Sequence, residues 1–577
     1  MFGRKWSTSP RAYEVVVERD VKIQVGDGVY LNANVFRPAR DEKFPAILGY
    51  FPYDLEMQTA PVKVDSFSSV VFKHPGQEKA NASIESGDPY FYARRGYAHI
   101  LVNIRGTGKS EGRYSFLSPR EHQDGHDVIE WIARQPWCDG NVGMFGVSYF
   151  AWIQQFVSAT KPPHLRCTFG PWASTDLYRD GVYHGGVLAY KFWCGWSTTE
   201  LSKPRMDSYC LKEWGEQKYR EEIVRLIQNE DIAAAPELVA ALNNPSEGRN
   251  PLIVDFLMLA EDGPFWEDRR VKFDQIEAPA YIGGCWGHYG LHTPGAFRSW
   301  ENLKVPKKMM LAPPAYLDRP LVQLQYESLR WFDHWLKGVE NEIMDEPPIK
   351  LYRIGMHDWK QTTDWPLPET RWTPFYLHEN GLMHEHDYRV NEGYTSFEDS
   401  PWGRGEIKFF TPPMVENTEL IGPPVLNLYA STTSDEALLF ASLWMVEAEG
   451  HEKILTRGWL RGSHRELDPV KSQPWLPVHT HRNPQPLTPN QIYEFNIPIV
   501  PTATVLKAGC RLVLKIACVD DQPKDSMEGI GVGHLRSQQG SRITVYHNGD
   551  YPSNLLLPIT EGNYVGTFIR GAAPYDV

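Results

Sequence analysis

The chain has 577 residues, 42% hydrophobic and 23% charged, with a formal charge of −13. That length exceeds one hydrophobic core and predicts two or three domains. The acidity, with no Lys/Arg-rich run, argues against nucleic acid as a partner, and no apolar run is long enough for a membrane-spanning helix.

The stretch from Met1 to Val17 has no apolar core of a secretory leader. The seven cysteines (Cys138, Cys167, Cys194, Cys210, Cys285, Cys510 and Cys518) are scattered and form no Cys-x-x-Cys. They read as reduced thiols, so a cytoplasmic location is expected. No metal-ligand spacing stands out. His479-Thr-His481 reads as polar structure, and neither a cofactor nor a metal is expected. Aromatic residues reach 13%, including 20 Trp. Most should pack cores, and the rest suit a pocket for a bulky apolar ligand.

Alternation from Val21 to Val35 around Asp27-Gly28 predicts a hairpin. Short apolar runs at 45–49, 97–103 and 141–145 predict buried strands, with a helix over 121–135 between the last two. Runs at 278–283 and 308–312 predict later strands of the same parallel sheet. Residues 176–268 carry helical spacing at 218–229 and 232–242 and read as a helical cap. A helix at 323–337 is expected to close this first domain, residues 1–345. The charged segment 338–348 ends in two prolines and marks the boundary. Residues 346–577, opening with a strand at 349–354, show short strands split by Pro, Gly and Asn. They predict an all-β sandwich or jelly roll. The fold class is therefore α/β with a cap, followed by an all-β domain.

Gly146-Val-Ser148-Tyr-Phe150 lies between the strand at 141–145 and an apolar helical stretch. A serine at a sharp strand-to-helix turn is the nucleophile elbow of α/β-hydrolases. The turn exposes Oγ and lets the backbone N–H of Tyr149 donate to a developing oxyanion. The full Gly-x-Ser-x-Gly pattern is not met, because Phe150 stands where the second Gly would be.

From here the chain resembles the cocaine-esterase/glutaryl-acylase (CocE/NonD) hydrolases, relatives of the X-Pro dipeptidyl-peptidases. The resemblance runs nearly end to end. It is carried by the segments Asp27–Pro38, Pro52-Tyr53, Asn103–Gly112 and Gln135–Met144 into Ser148-Tyr149, and by Gly458–Asp468 and His479–His481 in the second domain. It implies an α/β-hydrolase domain with a helical cap and a C-terminal jelly roll. It also implies Ser148 as nucleophile and the Tyr53 hydroxyl as second oxyanion donor. The acid expected in a Gly-Trp-x-Asp segment is replaced by His288 in Cys285-Trp286-Gly287-His288. The base expected in Gly-Pro-Trp-x-His is replaced by Tyr316 in Pro313-Pro314-Ala315-Tyr316. No Asp lies between 276 and 317 and no His between 293 and 333. His292 reads as structural background.

A serine without an adjacent base is a weak nucleophile at neutral pH. Three readings stay open. The first is a serine hydrolase for an ester or amide of a bulky small molecule, weakened and using His288 as base. The second is a non-hydrolytic enzyme in the same pocket, performing cyclisation, isomerisation or elimination with Tyr53, His288 and Tyr316 as donors or acid/base groups. The third is a non-catalytic relative. The pocket is expected between core, cap and jelly roll, with Trp193, Trp196 and Trp286 as substrate-binding aromatics. The second domain would wall that pocket or serve homo-oligomerisation.

Overall fold

A computed structural model of the chain describes residues 7–55, 85–199, 204–313, 321–387, 393–403, 405–521 and 533–562. Its first domain is built on a ten-stranded sheet. The opening hairpin pairs β1 (Val15–Gln24) with β2 (Tyr30–Pro38). Its turn uses Gly28 at φ +86°, a conformation that favours glycine. Next come β3 (Phe44–Phe51), α1 (Pro89–Ala93), β4 (Ala98–Asn103), α2 (Pro119–Ala133), β5 (Cys138–Phe145), α3 (Tyr149–Ser158) and β6 (Leu165–Phe169). Every residue of β3 and β4 is buried, because helices cover both faces of the sheet. Ser118 starts α2: its Oγ accepts from the Glu121 N–H at 3.4 Å, and Pro119 occupies the first turn.

The cap follows. It carries a tight hairpin, β7 (Tyr183–His184) with β8 (Val187–Leu188), and the helix α4 (Tyr190–Thr199). Six further helices lie among the described residues between Tyr209 and Glu267. The sheet resumes with β9 (Ala280–Cys285) and β10 (Lys307–Ala312). It then continues through β11 (Ile349–Arg353), which pairs parallel with β10, and β12 (Asp358–Thr362), which pairs antiparallel with β11. The strand expected to open the second domain pairs with the first sheet. Pro347 and Pro348 lie directly before that strand.

The strand order is β1-β2-β4-β3-β5-β6-β9-β10-β11-β12. From β4 to β11 neighbouring strands are parallel, so their carboxyl ends open on one side. Ligands bind open α/β sheets on that side. Tyr53, Ser148 and His288 all follow such ends.

Beyond β12 the described residues form an all-β domain. A four-stranded antiparallel sheet contains the strands Glu406–Phe410, Arg511–Ala517, Leu438–Val446 and Glu452–Arg461, in that order, and a larger sheet contains nine. The cap hairpin plugs into this domain. The Arg461 N–H donates to the Gly185 carbonyl at 2.8 Å, and the Leu535 N–H to the Leu188 carbonyl at 2.8 Å. Only glycine fits at 185: a Cβ there would sit 2.0 Å from the Trp459 carbonyl oxygen. His479 and His481 belong to the same junction through their carbonyls, which accept from Arg179 Nη2 (2.9 Å) and the Asp262 N–H (3.0 Å). No described helix is long and apolar enough to cross a membrane.

Candidate active site

Ser148 sits at φ 58°, ψ −126°, between the end of β5 and the first turn of α3. A non-glycine residue there is strained, and such strain persists only when its surroundings enforce it. Gly146, at φ +144°, allows the approach: a Cβ on it would lie 2.3 Å from Phe150 Cβ. Phe150 takes the place of a second glycine without blocking the turn. Its ring turns inward and stacks on Phe51 at 4.2 Å, against Gly49, where a Cβ would come within 3.3 Å of it. The Ser148 carbonyl accepts from the N–H groups of Ala151 and Trp152, while its side chain makes no capping bond. The hydroxyl is therefore not consumed by the helix. The Tyr149 N–H lies in the first turn, among the donors a helix leaves unpaired.

Tyr53 follows β3. The Asn103 side chain donates to its carbonyl at 2.6 Å, and the Trp196 indole N–H donates to its hydroxyl at 3.3 Å. Its ring lies 6.3 Å from that of Tyr149 and 6.0 Å from that of Phe150. Trp196, half-buried on α4, also stacks on Tyr149 with centroids 6.2 Å apart. The structure thus brings Tyr53, Tyr149 and Trp196 to one aromatic wall beside the elbow.

His288 lies in the turn after β9, and its carbonyl accepts the N–H groups of Leu291, His292 and Thr293. Its ring is 8% exposed and 5.5 Å from that of His292. His292 was read as background, yet its Nδ1 accepts the Trp152 indole N–H at 3.0 Å. That bond leaves the proton of the neutral ring on Nε2. Tyr316 lies outside the described residues.

Two of the expected ligand-binding aromatics are buried. Trp193 is 1% exposed, packed among Phe116, Trp152 and Phe256, with its N–H on the Gly181 carbonyl at 2.8 Å. Trp286 is 2% exposed, stacked on Phe297, with its N–H on the Tyr352 carbonyl at 2.7 Å. Both indole N–H groups are thus spent on backbone inside the core.

The sequence reading also missed a buried acid. Glu121 Oε1 accepts from the Tyr149 hydroxyl at 2.6 Å, Oε2 accepts from the Leu117 N–H at 3.0 Å, and Tyr114 donates to the Tyr149 hydroxyl at 3.2 Å. Burial pushes the Glu121 carboxyl up to about 8, against the pull of those hydrogen bonds. Its only sequence signal is Ser118-Pro-Arg-Glu121, a helix-start signature. Among the described residues no group of His, Cys, Asp and Glu side chains could hold a metal ion.

The fold agrees with that of known proteins. Cocaine esterase from a Rhodococcus species is 25% identical over 94% of this chain and 98% of its own. A CocE/NonD family hydrolase from Staphylococcus aureus superposes with a TM-score of 0.77 at 27% identity, covering 95% of this chain and 94% of that one. An aminopeptidase from a Thaumarchaeota archaeon shares the fold, with a TM-score of 0.72 at 16% identity over 97% of this chain and 99% of that one. The X-Pro dipeptidyl-peptidase C-terminal non-catalytic domain matches residues 341–556. The X-Pro dipeptidyl-peptidase (S15 family) profile matches residues 27–316, half of the chain, and the protein belongs to that family of serine-hydrolase-type enzymes.

Proposed function

We propose that the protein hydrolyses an ester or amide of a bulky small molecule through Ser148, and does so slowly. The observation that carries this reading is the strained elbow, at φ 58° and ψ −126°, whose hydroxyl takes no part in capping α3. Such a turn is costly, and its chemical use is to present Oγ beside the N–H of the next residue. In this reading Ser148 attacks the acyl carbon. The Tyr149 N–H and the Tyr53 hydroxyl stabilise the oxyanion, and the half-buried Trp196 receives the bulky group. The esterase activity named for the Rhodococcus relative supports an ester as substrate.

The slowness follows from residue types. His288 stands where the resemblance expects Asp, and Tyr316 where it expects His. An ordinary phenol titrates near 10 and is a poor base at neutral pH. Loss of a triad base costs on the order of 10⁴- to 10⁶-fold, with oxyanion and binding terms remaining. Turnover of a panel of bulky aryl esters by the wild type and Ser148→Ala tests the proposal. It requires weak hydrolysis that the variant loses.

A second reading is favoured by the same replacements. His288 and Tyr316 are both capable of proton transfer, which suits a non-hydrolytic rearrangement in this pocket. Under that reading Ser148→Ala costs about tenfold or less, as for one polar contact, while His288→Ala costs more.

A further inference from the structure

The side chain of Tyr149 is held by an acid whose contacts reach beyond helix capping. The Tyr149 ring is 2% exposed and offers a ligand almost no surface. Glu121 is equally buried, in the first turn of α2. Its Oε2 accepts the Leu117 N–H at 3.0 Å, which serves the helix start. Its Oε1 points away from α2 and accepts from the Tyr149 hydroxyl at 2.6 Å. Tyr114 donates to that same hydroxyl at 3.2 Å. The far end of the Tyr149 ring is therefore fixed by two groups, while its Cα is fixed by the elbow. Burying a carboxyl is costly unless its hydrogen bonds offset the loss of water.

The ring so fixed is a platform for its neighbours. Trp196 lies 9° from parallel to it, with centroids 6.2 Å apart, and Trp152 lies 22° from parallel at 6.4 Å. The Tyr53 ring meets it edge-on at 6.3 Å. The Trp196 indole N–H donates to the Tyr53 hydroxyl at 3.3 Å. By accepting that bond the Tyr53 oxygen turns its own proton away from the indole. A chain of contacts thus runs from Glu121 through Tyr149 and Trp196 to the Tyr53 hydroxyl.

We propose that Glu121 is a positioning residue of the oxyanion site, holding the Tyr149 ring as the platform on which Trp196 sets the Tyr53 hydroxyl. This rests on the reading of Ser148 as nucleophile, with the Tyr149 N–H and the Tyr53 hydroxyl as donors. Glu121 itself touches no reacting atom. An oxyanion donor acts over a narrow range of distance, and removing one costs roughly 10²- to 10³-fold in rate. Letting one drift forfeits part of that. Burial holds the Glu121 carboxyl at about 8, so near neutral pH it keeps its proton and adds no negative charge behind the oxyanion.

The test is labelling of Ser148 in the full chain by a fluorophosphonate, resolved into a maximal rate and a half-saturating concentration. Glu121→Leu removes the acceptor. Tyr149→Phe removes the hydroxyl and keeps both the ring and the backbone N–H. Each lowers the maximal rate about 10-fold or more and leaves the half-saturating concentration within about threefold. The double variant is slower than the slower single by no more than about twofold, because both act through one bond. Glu121→Gln still places a polar group against the Tyr149 hydroxyl and labels within about threefold of the wild type. Should Glu121→Leu fail to fold, Tyr149→Phe and Glu121→Gln decide the matter. Maximal rates unchanged in Glu121→Leu and Tyr149→Phe overturn the proposal, as do losses that multiply in the double variant or a Glu121→Gln as slow as Tyr149→Phe. No label on wild-type Ser148 overturns the nucleophile reading and this inference together, whereas labelling that the variants leave unchanged overturns this inference alone.

Discussion

The indole N–H of Trp152 donates to Nδ1 of His292 at 3.0 Å, tying the helix that begins at Ser148 to the turn that carries His288. Trp152 lies one helical turn beyond Ser148, and His292 one residue before the helix Thr293–Asn302. The bond sets both the spacing of the two loops and the tautomer of the imidazole. Trp152→Phe removes the donor together with part of the buried indole volume. It should cost about 1–3 kcal/mol of stability. Urea denaturation measures this, and a change within error would show that the bond carries no weight.

Glu121 gives folding a pH dependence of known sign. Burial holds its carboxyl at about 8, against 4.5 for the ordinary group. Between those values the folded chain keeps a proton that the unfolded chain has lost, so stability declines as pH rises through that window. Glu121→Gln keeps the shape and cannot ionise. Its denaturation midpoint should fall less than that of the wild type between about pH 5 and about pH 8. Parallel slopes for the two proteins would mean that Glu121 is ionised throughout.

The two cap tryptophans should separate. Trp193→Ala removes a fully buried ring and should destabilise by about 3–5 kcal/mol. Trp196 is half-buried, so Trp196→Ala should cost clearly less stability. It should instead alter the reaction, because it frees the Tyr53 hydroxyl from its 3.3 Å partner. Thermal melting and ester turnover on both variants check this. Equal melting losses would place Trp196 in the core as well.

Gly146→Ala should be severe, since the new Cβ would meet Phe150 Cβ at 2.3 Å. Combining it with Phe150→Gly should recover part of the loss and not all, because φ +144° remains unfavourable for alanine. Melting of the single and double variants measures the recovery. No recovery at all would place the obstruction somewhere other than Phe150.

Much of the architecture was legible because it rests on local signals. The opening hairpin, the buried strand runs and the strand–Ser148–helix turn follow from periodicity and from Gly146. What escaped depends on partners distant in sequence. Pro347-Pro348 looks like a domain break, and only pairing with β10 shows that β11 extends the first sheet. Trp193 and Trp286 have the right residue type for a pocket wall, but sequence does not say which way an indole N–H points. Glu121 hides in a helix-capping pattern, and its site character comes from Tyr149, 28 residues away. His292 looks like background until Trp152, 140 residues earlier, is seen to bond it.

Ser148 is proposed to be a presented but weakly activated nucleophile. Its most direct test is the rate and site of labelling by a fluorophosphonate, followed by intact-protein and peptide mass spectrometry. A single adduct on Ser148, lost in Ser148→Ala, is expected. It should form more slowly by on the order of 10³-fold or more than in a relative with a complete Ser-His-Asp triad. Rapid stoichiometric labelling of Ser148, or an adduct that persists in Ser148→Ala, would contradict it.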